Sequence, residues 1–414
     1  MTDTAGQTVR QAPCPEVRVV FAGGGTGGHI MPGAAVADAL ARLRGGVRCL
    51  FLGTARETED HCRPALASFE WQEIPAARWG GGLRKVRFGA ECLRAAARSR
   101  RLMRAFRPHV LVGLGGYSCV APVLAARAMG VPTMLFESNA RPGRVVRVLA
   151  RVADCVQVQW ARAARELKAR RVLVSGNPVR EALLHVDRAE ALRRLELDPQ
   201  RRTLLVLGGS QGALALNRVL APALKAATML PGGPQPQALQ VVHLTGPAHL
   251  AEALGAPMPP GLLYRPMGFL HAMGDAYAAA DLALARAGGS TLAELTAVGL
   301  PSVLVPYPHA ADRHQHANAS VLAEAGAARC MDESHLSGAR LGATLALLLT
   351  DTELLAYMRL GAQRIGRPTA AFTVAAELLR MAGMPLEQAS QGAGSPGGAD
   401  GQSSDLTSRT RKAA

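Results

Sequence analysis

Apolar residues in this chain come in short unbroken runs. The first is VRVVFA at 17–22. A glycine-rich turn over 23–28 follows, then apolar residues at helical spacing over about 31–43. The same order of run, turn and helix recurs, with runs at 47–52, 109–114, 133–136, 155–158 and 171–174. A strand apolar on both sides is covered on both faces, so this pattern predicts a parallel sheet between two helical layers.

The pattern breaks at 176–178 (GNP) and restarts with TLLVL at 203–207. A second glycine loop occupies 208–212, a helix starts at about 213, and further runs lie at 239–244, 262–265, 282–285 and 301–305. Each half therefore opens with a strand, a glycine loop and a helix. The prediction is an α/β protein of two doubly wound domains facing each other across a cleft, 17–179 and 180–366. A last helix over about 369–382 can pack on either. Residues 1–16 read as a disordered extension. So does the Gly/Ser-rich tail, 388–414.

Composition adds limits. Of 414 residues 49% are hydrophobic, enough for a sizeable core, and 4% are aromatic, too few for a base-stacking platform. The net charge is +16, and all but Lys85, Lys168, Lys225 and Lys412 of the basic residues are arginine. Codon bias in a GC-rich genome would account for the choice of arginine but should act on both halves alike. Residues 1–185 nevertheless carry 28 basic and 13 acidic residues, against 19 and 18 in 186–414. The first half is thus expected to face something anionic: nucleic acid, a membrane surface or a phosphorylated substrate. Segment 78–107 holds ten basic residues and one acid, Glu91, and its apolar Phe88, Leu93, Leu102, Met103 and Phe106 fit one side of a basic amphipathic helix. Seven cysteines without a C-x-x-C suggest neither a disulfide framework nor a zinc ribbon, and a reducing cytosol is expected. The first residues lack the apolar region of a secretion signal, and no apolar run is long enough to span a bilayer.

The loops carry the candidate chemistry. GGGTGG at 23–28 follows a strand and precedes a helix, as in a dinucleotide fingerprint, but the second strand ends FLGT without the acid that would hold a ribose. No P-loop lysine follows either. Both glycine loops can bring backbone N–H groups against negative charge, and 208–212 (GGSQG) adds a hydroxyl suited to a diphosphate. A plain strand-to-helix turn makes similar demands on the chain. His29, directly after the first loop, falls on a helix N-terminus that disfavours imidazolium, so a neutral ring able to take a proton is expected. Glu294 in RAGGSTLAEL can accept hydrogen bonds from a vicinal diol such as ribose, or serve only the helix dipole. The loop VPYPHAADRHQ at 305–315 is crowded with groups suited to sugar hydroxyls. Its His309 and His314, with His316, lack the frame of a metal site, and no metal or other cofactor is expected.

Taken together, GGGTGGHIMPGAAVADAL, GLGGYSCVAPVLAA, ESNARPG, GNPVR, LGGSQGALALN, RAGGSTLAEL, GLPSVLVPYP and DRHQHANA, in this order, resemble the MurG family over about 17–382. These are the glycosyltransferases that move GlcNAc from UDP-GlcNAc to undecaprenyl-pyrophosphoryl-MurNAc-pentapeptide in peptidoglycan synthesis. The resemblance implies a GT-B fold of two Rossmann-like domains, with the segment 367–385 returning to the first. It implies an inverting transfer that converts lipid I to lipid II without a metal. His29 takes the place of the catalytic base, with Glu137 as a second catalytic candidate. Thr26 and Tyr117 match residues on the acceptor side, where Asn217 is also assigned. Thr26 with Gly27, Gly28, Asn139, Arg180, Ser210, Gln211, Leu270, Glu294 and Gln315 is assigned to UDP-GlcNAc. Glu294 would hold the ribose, Gln315 the GlcNAc hydroxyls, and the backbone of Leu270 the uracil.

Departures fall mainly in the acceptor half. The family's H-E-Q-N reads Phe136-Glu137-Ser138-Asn139, a downstream asparagine is Val146, and an adjacent pair of glutamines reads His314-Gln315. Implied partners are UDP-GlcNAc, lipid I, an anionic membrane surface, and proteins of cell-wall synthesis and division, but no nucleic acid. The implied location is peripheral, on the cytoplasmic face of the inner membrane. A glycolipid glycosyltransferase or a UDP-sugar epimerase of the same fold is the alternative reading.

Overall fold

The computed structural model describes residues 15–24, 27–54, 66–75, 84–209 and 212–384. Its core is two parallel sheets. The first orders its seven strands β3-β2-β1-β4-β5-β6-β7. These are β1 (Val17–Ala22), β2 (Val47–Gly53), β3 (Glu70–Glu73), β4 (Val110–Gly113), β5 (Thr133–Glu137), β6 (Cys155–Val158) and β7 (Val172–Val174). The second orders six strands β10-β9-β8-β11-β12-β13. They are β8 (Arg202–Leu207), β9 (Leu239–Leu244), β10 (Leu263–Met267), β11 (Leu282–Ala285), β12 (Ser302–Leu304) and β13 (Ala328–Cys330).

The central strands are buried on both faces, which is why they read as unbroken apolar runs: Val19, Val20, Phe21 and Ala22 of β1 are all inaccessible, and Phe21 stacks on Phe51 of β2. Two strands had no such signature. β3 (EWQE) and β13 (ARC) are edge strands, mostly exposed, and so carry no apolar run.

Helix α1 (Gly27–Leu43) begins four residues before the apolar periodicity does. Glycines contribute no hydrophobic signal, yet here they form its first turn. The long helix α2 (Arg84–Phe106) follows β3. The last helix, residues 370–381, packs against α1, and its Ala371, Val374, Ala375, Leu378 and Leu379 join the core of the first sheet. Arg171 and Arg380 clasp Glu377 on that helix. Among the described residues no single helix is long and apolar enough to cross a membrane.

Helix α2 corrects one expectation. Met103 and Phe106 are buried, Leu102 packs beside them, and only Leu93 of the described apolar set lies in the open. The apolar side of α2 faces chiefly its own domain, because the sheet must be covered. The side chain of Phe88 and residues 78–83 lie outside the described residues.

Candidate active site

In each sheet strand order reverses once, between β1 and β4 in the first and between β8 and β11 in the second. Loops leaving neighbouring strands diverge at such a point and open a crevice at the strands' carboxyl ends. The first glycine loop follows β1 and the second follows β8, so the topology brings both to crevices.

His29 stands in the first turn of α1, half-buried. Its ring lies against Gly115, after β4. A Cβ there would come within 3.1 Å of His29 Cδ2, and the φ of +96° also favours glycine. Burial, and secondarily His314 opposite, push the His29 imidazole below its ordinary value of 6.5. The neutral ring therefore prevails at pH 7. His29 lines a cavity of about 360 Å³ with Gly28, Tyr117, Glu137, Arg141, Arg144, Asp312 and His314.

The opposite wall begins at α3 (Gly289–Ala297). Its Ser290 donates to the Gly28 carbonyl at 2.7 Å. Pro32, inside α1, has no N–H with which to bond that carbonyl along the helix, so it can accept from the other domain. Behind Ser290, Tyr277 donates to Glu294 at 2.6 Å. Burial raises the Glu294 carboxyl; Tyr277 and then Arg180 act against that. Glu294, Tyr277 and Arg180 thus form one group, outside the lining of the cavity. Gln315 turns its side-chain carbonyl to the N–H groups of Ala287 and Tyr307 and so ties two loops of that wall together. Leu270 follows β10 and packs, half-buried, on the second domain's core.

The two walls are joined through the loop after β5. Glu137 accepts from Asn139 N and Nδ2 (both 2.9 Å) and from Gly143 N (2.7 Å). Burial raises its carboxyl, against the pull of these donors. Both its oxygens are thereby engaged in shaping 138–143. Asn139, expected at the donor, accepts from Asn318 Nδ2 at 3.0 Å. Asn318 is fully buried on α4 (His314–Glu324); it also donates to the Ala287 carbonyl and accepts from Ala140 N at 2.7 Å. Further out, Asp312 pairs with Arg144 (3.0 Å) and Arg147 (3.4 Å) of the first domain, and its carbonyl accepts from Arg141. Asp312 and Arg313 both have left-handed φ, +51° and +53°. Sequence reading missed Asn318, Ser290 and Asp312 as bridges. The signal for Asn318 is a polar side chain on the inward face of a helix.

The second loop is sterically demanding. A Cβ on Gly212 would come within 2.0 Å of the Thr245 carbonyl. Asn217, expected on the acceptor side, belongs with this loop: it sits in the helix Leu214–Met229, donates to the Thr245 carbonyl at 2.9 Å and meets His243 Nε2 at 3.0 Å. It does not line the cavity with Tyr117. Its amide is engaged inside the second domain. Thr26, Ser210 and Gln211 lie outside the described residues. The three histidines of the 305–316 stretch have separate surroundings: His309 meets the Tyr307 ring edge-on, His314 bonds the Ala311 carbonyl, and His316 pairs with Asp332.

Comparison with known proteins agrees with this architecture. Residues 19–158 match the glycosyltransferase family 28 N-terminal domain, and residues 203–371 match its C-terminal domain. A UDP-N-acetylglucosamine--N-acetylmuramyl-(pentapeptide) pyrophosphoryl-undecaprenol N-acetylglucosamine transferase from Desulforudis audaxviator is 38% identical, over 89% of this chain and 99% of the relative. One of the same name from an Anaeromyxobacter species is also 38% identical, over 91% and 98%. The crystal structure of Acinetobacter baumannii MurG superposes with a TM-score of 0.68 at 29% identity, over 88% of this chain and all of that one. The calicheamicin glycosyltransferase CalG4, at 16% identity and a TM-score of 0.61, shares the fold. The two crevices, the domain matches and the end-to-end similarity to these transferases converge: the chain belongs to the MurG family, within glycosyltransferase family 28.

Proposed function

We propose that this protein transfers GlcNAc from UDP-GlcNAc to the 4-hydroxyl of MurNAc in undecaprenyl-pyrophosphoryl-MurNAc-pentapeptide. The reading is carried by the end-to-end match to transferases of that name. The cleft supports it, with a neutral imidazole on one wall and, on the other side, a Glu294–Tyr277–Arg180 group in which Tyr277 is buried and its partners half-buried. The acceptor hydroxyl attacks the anomeric carbon from the face opposite UDP. The new C–O bond forms as the bond to the diphosphate breaks, and one displacement inverts the configuration to β. His29 takes the hydroxyl proton. Charge developing on UDP meets the N–H groups of 208–212, Ser210 and Arg180. Glu294 holds the ribose and Gln315 the sugar hydroxyls. Tyr117 borders the acceptor. The enzyme works as a peripheral protein on the inner face of the membrane.

The deciding assay is turnover of UDP-GlcNAc with lipid I, with UDP-glucose as control donor. His29→Ala should lower turnover by about 10²–10⁴, the usual worth of a general base, with donor affinity little changed. Near-native turnover in that variant would remove His29 as the base and leave Glu137 as the next candidate.

A further inference from the structure

Three arginines of the first domain converge on Asp312 of the second, two on its carboxylate and one on its backbone carbonyl. Arg144 Nη2 lies 3.0 Å from Asp312 Oδ1, Arg147 Nη2 lies 3.4 Å from Oδ2, and Arg141 Nη1 donates to the Asp312 carbonyl at 3.2 Å. Three guanidinium charges stand against two carboxyl groups, Asp312 and Glu137, and still leave an excess. Arg141, Arg144 and Asp312 line the same cavity as His29. The excess therefore faces the space that receives the acceptor. Glu137, which shapes the 138–143 loop, fixes where Arg141 and Arg144 stand. On the other side, Asp312 and Arg313 hold two consecutive left-handed φ values without glycine, a conformation such side chains adopt reluctantly. The carboxylate is thus presented by a loop with reason to relax once released.

We infer that Arg141 and Arg144 form a diphosphate subsite for the acceptor, and that Asp312 occupies it until the acceptor arrives. Guanidinium forks suit phosphate oxygens as they suit carboxylate oxygens, and a diphosphate brings more charge than Asp312 does. The subsite lies in the cavity of His29. It is distinct from the 208–212 loop, to which the donor's diphosphate is assigned. This inference rests on the proposed lipid-linked acceptor. Arg147 also acts on Glu137, so it is left native in the test.

The test is binding of inorganic pyrophosphate by calorimetry at fixed ionic strength, with UDP saturating so that the donor site is filled. Arg141→Gln/Arg144→Gln should weaken binding about tenfold or more, and Asp312→Asn should tighten it several-fold. In steady state the double variant should raise the KM for lipid I by a similar factor and leave the KM for UDP-GlcNAc within about twofold. An acceptor sugar lacking the diphosphate should show no such loss. Unchanged pyrophosphate affinity in the double variant, or an equal loss with the truncated acceptor, overturns the subsite. Weaker pyrophosphate binding in Asp312→Asn would make Asp312 a plain domain latch and overturn its role as competitor. If the native protein fails to turn over lipid I, the functional reading fails, while the pyrophosphate arm still judges the arginines.

Discussion

His243 shows what a single buried polar residue does here. It is almost inaccessible on β9; Nδ1 lies 2.7 Å from the Tyr264 hydroxyl and Nε2 3.0 Å from Asn217 Oδ1. A neutral ring that donates from Nε2 and accepts at Nδ1 satisfies both neighbours. Burial depresses its pKa to about 4. The unfolded chain takes up that proton near 6.5 and the folded one only near 4. Stability from this group is therefore complete above pH 6.5 and is lost as the pH falls toward 4, by about 3 kcal/mol in all. Urea denaturation at pH 7, 6, 5 and 4.5 should show a shallower pH slope for His243→Gln than for the native protein. Parallel slopes would assign the acid sensitivity to other groups. Asn217 was conspicuous in its motif, but its partners come from a neighbouring strand and loop. No spacing in the sequence could show that its amide is engaged with them.

Among elements, the loop after β5 and helix α4 decide how the cleft is held. Asn318 presents one amide to three groups: the Ala140 N–H, the Asn139 side-chain oxygen and the Ala287 carbonyl. Asn318→Ala would leave them unpaired in a buried place, which costs about 2–4 kcal/mol. A lower urea midpoint of that order is expected, with a higher KM for UDP-GlcNAc as the walls lose register. A loss below about 0.5 kcal/mol would mean that water replaces the amide. Strands such as β1, β4 and β8 were legible because burial on both faces writes an apolar run. β3 and β13 were not, since edge strands need no such run. The start of α1 was hidden for a related reason, because its first turn is glycine. The consequence of Pro32 emerged only when Ser290 was found bonded to the carbonyl that the proline cannot reach.

For the whole molecule the charge asymmetry matters most. The basic first half has on α2 an exposed strip that includes Arg94, Arg98, Arg101 and Arg104, with Leu93 74% exposed beside it. Since Met103 and Phe106 face the core, the proposed attraction of this face to a membrane would be mainly electrostatic, at about 1 kcal/mol per arginine near an anionic surface. The protein should therefore sediment with vesicles containing anionic lipid and be released by salt, and Arg94→Glu/Arg98→Glu/Arg101→Glu should abolish binding. Equal binding to neutral vesicles, or indifference to salt, would refute the strip as the membrane face.

The sequence by itself determined the two-sheet architecture, the position of both glycine loops and the family. All three are written in local patterns: runs imposed by burial on two faces, turns that need glycine, and motifs kept in order along the chain. The tertiary structure alone decided the rest. It set Gly115 against His29 and gave the Gly28 carbonyl to Ser290. It bound both oxygens of Glu137 into the 138–143 loop. It also brought Arg141 and Arg144 to Asp312 across some 170 residues of chain. The contacts of Ser290 and Asp312 depend on how two separately patterned domains meet, those of Gly115 and Glu137 on which loops of the first domain lie together, and neither geometry leaves a periodicity in the chain.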